Sequence, residues 1–262
     1  MRAKPPLPDP SRHARLDALR GAAIVWMVLF HFSFDLNTFN LLSPRQDFYR
    51  DVFWTGQRSC IVSLFLLTAG IGQSLALAAD QSWRRFWRRW AQVAGCAVLV
   101  SLGSAWMFPR SWISFGVLHG MAVMLLLVRL LARPLLRLLG ARRMWLLWPL
   151  GALALALPWL VQHPFFDTRW TNWLGLVTHK PVAEDYVPVL PWLGLMLWGL
   201  ALGQSVQVCR WLAGGLAGGL VGGLAGPVRG LALLGRWPLT VYMLHQPLLI
   251  GALMALAALR GH

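Results

Sequence analysis

Apolar stretches of about 20 residues constrain this chain more than any other feature of its sequence. An α-helix rises about 1.5 Å per residue, so about 20 apolar residues cross the ~30 Å hydrocarbon core of a bilayer. Seven such stretches predict membrane-spanning helices at 18–39, 57–79, 90–108, 113–131, 144–161, 188–208 and 237–259. Hydrophobic residues make up 57% of the chain and charged residues only 13%, which a soluble domain of 262 residues does not tolerate. The predicted fold class is therefore all-α, a polytopic transmembrane helical bundle of about seven spans.

The Gly-rich tract between the last two stretches leaves the number of spans open. Residues 211–230, "WLAGGLAGGLVGGLAGPVRG", are apolar but rich in glycine, which has the lowest helix propensity of all residues except proline. The tract fits an eighth, weakly helical span, a re-entrant segment, or a small-residue helix that packs closely on its neighbours. Around it, residues 1–17 are predicted to form a cytoplasmic tail, and residues 18–262 a single transmembrane domain.

The distribution of basic residues predicts the orientation. With seven spans and a cytoplasmic N-terminus, 17 of the 24 Lys and Arg residues lie on the inner side and 7 on the outer side, as the positive-inside rule requires. This arrangement places Arg229 and Arg236 on the same side as Arg210, so the Gly-rich tract is predicted not to cross completely. Since topology accounts for the net charge of +15, no nucleic-acid partner is predicted.

Two motif classes are missing from the sequence. Cys60, Cys96 and Cys209 stand alone and form no zinc-type spacing with histidine, and no Gly-rich phosphate loop of the P-loop type is present. The sequence therefore predicts no metal site.

The segment "GAAIVWMVLFHFSFDLN" places ionisable residues inside the first span. By helical rise His31 lies about two-thirds of the way across the membrane, and Asp35 lies one turn further out on the same helix face. Ionisable groups at this depth are costly and commonly mark a site or a pathway, although a structural hydrogen bond to a neighbouring helix is the simpler alternative. A carboxylate that fixes the tautomer of an imidazole makes the imidazole a general base.

Further polar residues are predicted near the same depth. His119 of the fourth span reaches a depth similar to that of His31, and Arg58 begins the second span within plausible reach of Asp35. His245, in "YMLHQP", is predicted to lie nearer the cytoplasmic side, where Pro247 frees a backbone acceptor. We therefore expect His31, Asp35 and His119 to be catalytic.

Five segments resemble the heparan-α-glucosaminide N-acetyltransferase-like membrane proteins, particularly their short bacterial members. The segments are "RLDALRGAAIVWMVLFHFSFDLN", "SLFLLTAGIGQSLAL", "ISFGVLHGMAV", "DYVPVLPWLGLMLWGLALG" and "LGRWPLTVYMLHQPLL". They occur in the expected order along nearly the whole chain. The "LDALRG" element followed by a His is also similar to the type-three acyltransferases of bacterial envelopes.

The resemblance implies acyl transfer across a membrane. Family members take an acyl group from cytoplasmic acyl-CoA, here most simply acetyl-CoA, and give it to a sugar on the opposite face. The eukaryotic members use a His shortly before a Trp-x-Gly in the first loop, whereas this chain has Asp51 before Trp54 to Gly56. The type-three relatives place their key His in the first span, which points to His31. Arg20, from the shared motif, and Arg58 and His245 are then expected to serve the donor and its acyl group.

Several alternatives stay open at this point. The resemblance places the chain in a bacterial inner membrane, with acyl-CoA, a carbohydrate-type acceptor and the bilayer as partners; a homodimer is one assembly that the sequence leaves open. A proton-coupled transporter would use His31, His119 and His245 as a relay. A non-catalytic membrane partner would keep the fold after losing the loop His.

Overall fold

A computed structural model of the chain describes residues 13–139, 145–214 and 225–259, and in these ranges all regular structure is helical. The α-helices are α1 (Ala14–Thr38), α2 (Val52–Ala78), α3 (Trp83–Met107), α4 (Val117–Leu139), α5 (Leu147–Leu160), α6 (Val189–Leu202), α7 (Val206–Ala213), α8 (Ala225–Leu234) and α9 (Pro238–Leu259). Two short 3₁₀-helices, Pro164–Asp167 and Asn172–Leu174, lie in the long connection before α6. The all-α prediction is confirmed for the described part of the chain.

Each of the seven predicted spans coincides with a helix. Four helices, α1, α2, α3 and α9, are long and apolar enough to cross a membrane. The pair α6 and α7 makes a fifth candidate, although the two helices meet at a bend of 75°. The apolar part of α4, Val117–Leu131, and all of α5 are shorter than a full span. The chain is therefore a multi-pass membrane protein, and the total of about seven crossings stays a prediction.

Three helices begin earlier than their predicted spans: α1, α2, which starts at Val52, and α3. Helix α1 starts at Ala14, so the end of the predicted tail of residues 1–17 is helical. Helix α3 starts at Trp83 because the Ser82 hydroxyl caps it, accepting a hydrogen bond from the Arg85 N–H, and Phe86 is buried. Hydropathy does not reveal this helix start. The four arginines of the segment "SWRRFWRRW" make it polar, although its backbone is helical.

Glycines let α2 and α6 approach each other closely at the centre of the bundle. A Cβ at Gly70 would lie 2.2 Å from the Met196 carbonyl oxygen, and a Cβ at Gly199 would lie 2.3 Å from the Leu67 carbonyl oxygen. Small residues at such a crossing bring backbones together, which is how membrane helices gain packing energy without a hydrophobic driving force. The completely buried side chains of the neighbouring core include Leu66, Met124, Met196 and Leu200.

Helix α8 packs on the beginning of α1. A Cβ at Gly21 would lie 1.9 Å from the Leu231 carbonyl oxygen, and a Cβ at Gly235 would lie 1.8 Å from the Asp17 carbonyl oxygen. The glycine of the "LDALRG" element therefore serves a backbone-to-backbone contact. Residues 215–224 of the Gly-rich tract lie outside the described ranges, so the open question of whether the tract crosses concerns a part of the chain that is not described.

Helices α1 and α9 run in the same direction. Gly235, just before α9, contacts the first turn of α1 at Asp17. Further along, the His245 ring contacts His31, and the Gln246 amide reaches Asp35. This order makes the two helices parallel. An odd number of crossings, such as seven, places the first and last spans parallel, whereas eight crossings place them antiparallel. The contacts therefore favour an odd number of crossings over eight.

Candidate active site

The interface of α1 and α9 brings two of the predicted site histidines together. The ring centroids of His31 and His245 are 5.0 Å apart, and the ring planes meet at 61°. Near them the Gln246 side-chain amide donates a hydrogen bond of 3.3 Å to the Asp35 Oδ1 atom. Side chains from opposite ends of the sequence thus form one polar group inside the bundle, which we call the histidine site: His31, Asp35, His245 and Gln246.

The hydrogen bond of His245 fixes its tautomer. Its Nδ1 atom lies 2.6 Å from the Tyr242 carbonyl oxygen, and because a carbonyl only accepts, Nδ1 carries the proton and donates. The Nε2 atom then presents a lone pair. A backbone carbonyl here orients the imidazole in the way that a carboxylate does in a catalytic triad.

Three atoms of the histidine site are buried without a described hydrogen-bond partner. They are Asp35 Oδ2, His245 Nε2 and Gln246 Oε1. Buried polar atoms are almost always hydrogen-bonded in folded proteins, because each one left unpaired costs about 1–3 kcal/mol. Three such atoms in one place indicate a position for a ligand or for ordered water. The His31 ring is half-buried beside them, against Phe30.

Asp35 has a different described partner from the one that its sequence position suggests. It is buried, with 4% of its surface exposed, and its described hydrogen bond comes from Gln246 of α9. Among the described residues no hydrogen bond joins Asp35 to His31 or to Arg58. The roles of Asp35 as orienting group and of Arg58 as its partner stay predictions, and the geometry gives Asp35 a link between α1 and α9.

His119 has described hydrogen-bond partners that are not part of the histidine site. The Gly116 backbone N–H donates a 3.2 Å hydrogen bond to His119 Nδ1, so Nε2 carries the ring proton and donates to the Ser101 hydroxyl at 3.0 Å. Ser101 in turn donates to the Ile113 carbonyl oxygen at 2.6 Å. These bonds tie α3 to the start of α4. The structure therefore brings His31 and His245 together, and places the described partners of His119 elsewhere.

Arg20 lies at the opposite end of α1 from Asp35. Its guanidinium group contacts the Asp17 carboxylate at 3.3 Å and the Thr68 carbonyl oxygen at 3.5 Å. A Cβ at Gly72 would lie 2.6 Å from Arg20 Nη2, so this glycine of α2 leaves room for the side chain. Arg20 thereby bridges α1 and α2 near the end of the bundle that is predicted to be cytoplasmic.

A second group of polar side chains surrounds Arg58 where α2 begins. We call it the loop cluster; its members are Tyr49, Arg58, Lys180, Glu184 and Asp185. Glu184 accepts hydrogen bonds from the Ser111 hydroxyl at 2.5 Å and from the Tyr49 hydroxyl at 3.4 Å. Asp185 accepts a 2.7 Å hydrogen bond from the Val117 N–H at the start of α4. The cluster therefore joins two long connections to the ends of α2 and α4.

The charges of the loop cluster shift one another's protonation. Burial raises the pKa of Asp185. The hydrogen bond from the Val117 N–H opposes this increase, and the positive charges of Arg58 and Lys180 oppose it to a smaller extent. The Lys180 residue is exposed overall, and its ammonium group is partly desolvated. This desolvation, followed by the charge of Arg58, lowers the pKa of Lys180, while Asp185 acts in the opposite direction. Arg58 and Lys180 are thus close enough to repel each other.

Tyr242 and Gln246 are site residues that the sequence prediction missed. Tyr242 supplies the carbonyl that orients His245, and its ring centroid lies 5.7 Å from that of His245. The sequence feature that points to these residues is the polar pair His245-Gln246 inside an otherwise apolar helix. It was not used because the partner of Gln246, Asp35, lies more than 200 residues away in the chain.

The fold and the site define a multi-pass helical membrane protein with unpaired acid–base groups between its first helix and its last described helix. The family model of the heparan-alpha-glucosaminide N-acetyltransferase catalytic domain matches residues 12–247, and the chain belongs to this family. The match confirms the resemblance seen in the sequence and indicates a membrane-bound transferase. No curated protein and no solved structure gives a significant match.

Proposed function

We propose that the protein transfers an acyl group, in the simplest case acetyl, from acyl-CoA on the cytoplasmic side to a sugar-type acceptor on the periplasmic side. The observation that carries this proposal is the set of three unpartnered buried atoms at the histidine site. Transfer between two aqueous sides needs acid–base groups at a depth that both substrates reach. We assign this role to the histidine site, and membership of an acetyltransferase family supports the chemistry.

The two ends of the bundle supply different surroundings for the two substrates. Arg20 lies near the start of α1, and the loop cluster lies where α2 and α4 begin. The positive-inside rule assigns the start of α1 to the cytoplasm of a bacterial inner membrane. We therefore assign the donor to the Arg20 end and the acceptor to the loop-cluster end, with the histidine site between them.

The histidines do the proton chemistry in this proposal. One ring nitrogen, His31 as the sequence suggests or the oriented His245 Nε2, accepts a proton from the acceptor amine or hydroxyl as that group attacks the thioester carbonyl. The same imidazole then gives its proton to the departing coenzyme A sulfur. One bond forms between the acceptor and the acyl carbon, and the carbon–sulfur bond breaks. Asp35 and Gln246 hold α1 and α9 in place for this step.

Acyl-CoA fits the charges near the start of α1 as well as the polar interior. Its phosphates are suited to the basic end where Arg20 lies, and when bound it supplies the activated acyl group. The described residues contribute an arginine at that end and a base at the histidine site.

Radiolabelled acetyl-CoA tests the proposal directly. Purified protein in nanodiscs should transfer label to glucosamine, and His31→Ala should lose this activity while keeping the thermal unfolding midpoint. His163→Ala, which changes an exposed histidine in a connection, is the matched control and should keep the wild-type rate. Normal turnover by folded His31→Ala would remove His31 from the mechanism.

The transporter alternative makes a different prediction for the same pair of imidazoles. A proton relay through His31 and His245 would acidify proteoliposomes without forming any acylated product. Proton-coupled flux without labelled product would replace the transferase proposal, and the absence of both activities would favour a non-catalytic partner.

A further inference from the structure

The first turns of α3 carry arginines on one side of the helix and aromatic rings on the other. We call the first set the arginine face; its members are Arg84, Arg85, Arg88 and Arg89. At about 100° per residue these positions lie within an arc of about 140°. The aromatic positions of the same turns lie within about 100° on the opposite side; they are Trp83, Phe86, Trp87 and Trp90. All four arginines are exposed, so the arginine face lies on the surface of the bundle.

The aromatic side holds this part of α3 against the protein. Phe86 is buried, and the Arg129 guanidinium carbon of α4 lies 5.4 Å from the ring centroids of both Trp83 and Phe86. The Trp90 Nε1–H donates a 2.9 Å hydrogen bond to the Ala122 carbonyl oxygen of α4. These contacts fix the rotation of α3 about its own axis, and the arginine face is therefore presented outward in one orientation.

The arginine face has no matching set of carboxylates. The sequence contains no Asp or Glu from residue 81 to residue 166, and Asp80 supplies one carboxylate before the four arginines. Among the hydrogen bonds and ion pairs of the described residues, none is made by a guanidinium group of the arginine face. Like charges four residues apart on a helix repel each other, as Arg84 and Arg88 do. Anions that lie along the face therefore stabilise it.

The position of the arginine face along α3 indicates where such anions come from. Helix α3 is long and apolar enough to cross a membrane, and Val98 and Leu102, in its apolar part, are 56% and 64% exposed. Such side chains face acyl chains in a bilayer. By helical rise the arginine face lies about 14–21 Å before Val98, and half of the hydrocarbon core is about 15 Å thick. The tryptophans beside the arginines are typical of the membrane–water interface. The guanidinium groups are thus at the level of lipid headgroups.

We propose that the arginine face binds the phosphate groups of anionic phospholipids such as phosphatidylglycerol. Each guanidinium offers a planar fork of donors to phosphate oxygens, while its aliphatic stem lies along apolar surface. The negative charge of neighbouring headgroups complements the positive charge that the sequence leaves unmatched, and the positive-inside rule assigns this contact to the cytoplasmic leaflet. The contact is a property of the folded protein and does not depend on acyl transfer.

Lipid selectivity of the full-length protein tests this inference. Protein in detergent micelles is equilibrated with equal amounts of phosphatidylglycerol and phosphatidylcholine, and the bound lipids are counted by native mass spectrometry. An arginine near an anionic surface changes affinity about fivefold. We therefore expect the bound ratio of phosphatidylglycerol to phosphatidylcholine to fall about fivefold or more in Arg84→Gln/Arg88→Gln. The control Arg50→Gln/Arg110→Gln removes two exposed arginines, from the connection before α2 and from that after α3, and should keep the wild-type ratio.

Two further measurements make the result decisive. Gln is a good helix former, so the thermal unfolding midpoint in phosphatidylcholine should stay close to that of the wild type. Acetyl-CoA binding in phosphatidylcholine nanodiscs should also be unchanged in Arg84→Gln/Arg88→Gln. A wild-type lipid ratio near one, or equal ratios in the arginine-face variant and the control, would overturn the lipid site. Weaker acetyl-CoA binding with an unchanged lipid ratio would overturn it as well, because the arginines would then bind the phosphates of coenzyme A.

Discussion

Replacement of His245 by asparagine separates its structural hydrogen bond from its chemical role. The Asn amide N–H can still donate to the Tyr242 carbonyl, which His245 Nδ1 now does at 2.6 Å, but no base remains at the position of Nε2. General acid–base catalysis contributes about 10²- to 10⁴-fold, or about 2.7–5.4 kcal/mol at 1.36 kcal/mol per tenfold change. We expect kcat of His245→Asn to fall by this factor while the thermal unfolding midpoint stays close to that of the wild type.

The assay is steady-state transfer of labelled acetyl to glucosamine, with thermal unfolding followed in the same detergent. His245→Ala serves as the comparison: it should lose about 0.5–1.5 kcal/mol of stability as well, because the donor to Tyr242 disappears. If His31 and His245 act as a unit, the double variant His31→Ala/His245→Asn should be no slower than the slower single variant. A rate for His245→Asn within threefold of wild type would refute the assignment of the oriented imidazole to the chemistry.

Two further changes test other parts of the account. Gly21→Ala should lower the free energy of unfolding by about 1–3 kcal/mol, because its Cβ would lie 1.9 Å from the Leu231 carbonyl oxygen. The control variant Gly95→Ala has open space around the new Cβ and should be neutral or stabilising in the same unfolding assay. His119→Asn should cost about 1 kcal/mol of stability, because the hydrogen bonds of His119 to Ser101 and Gly116 change. A loss of rate of tenfold or more would support the predicted catalytic role of His119, and a smaller loss would contradict it.

Hydropathy alone predicted most of the fold. Seven apolar segments each coincide with a helix, because the bilayer requires such lengths whatever the tertiary packing is. The helix starts were less accurate at α1, α2 and α3, where polar side chains extend the helix beyond the apolar region. The bend between α6 and α7 was also missed, since a continuous apolar stretch does not reveal a change of direction.

The site was only partly accessible from the sequence. Helical spacing predicted that His31 and Asp35 belong to one site, since both lie in one apolar helix, and their catalytic roles stay predictions. It did not predict that His245 and Gln246 complete the group, because depth matching by rise per residue assumes straight spans with known starts. Depth matching also paired His31 with His119, whose described hydrogen bonds belong to the connection between α3 and α4. Contacts between distant helices depend on packing, which hydropathy does not encode.

A structure of the protein with a non-hydrolysable acetyl-CoA analogue tests the central claim most directly. The account predicts that the carbonyl carbon of the thioester analogue lies within about 4 Å of a ring nitrogen of His31 or His245, the distance of a near-attack arrangement. Density for the same group away from α1 and α9, or a histidine site filled by side chains alone in the complex, would contradict it.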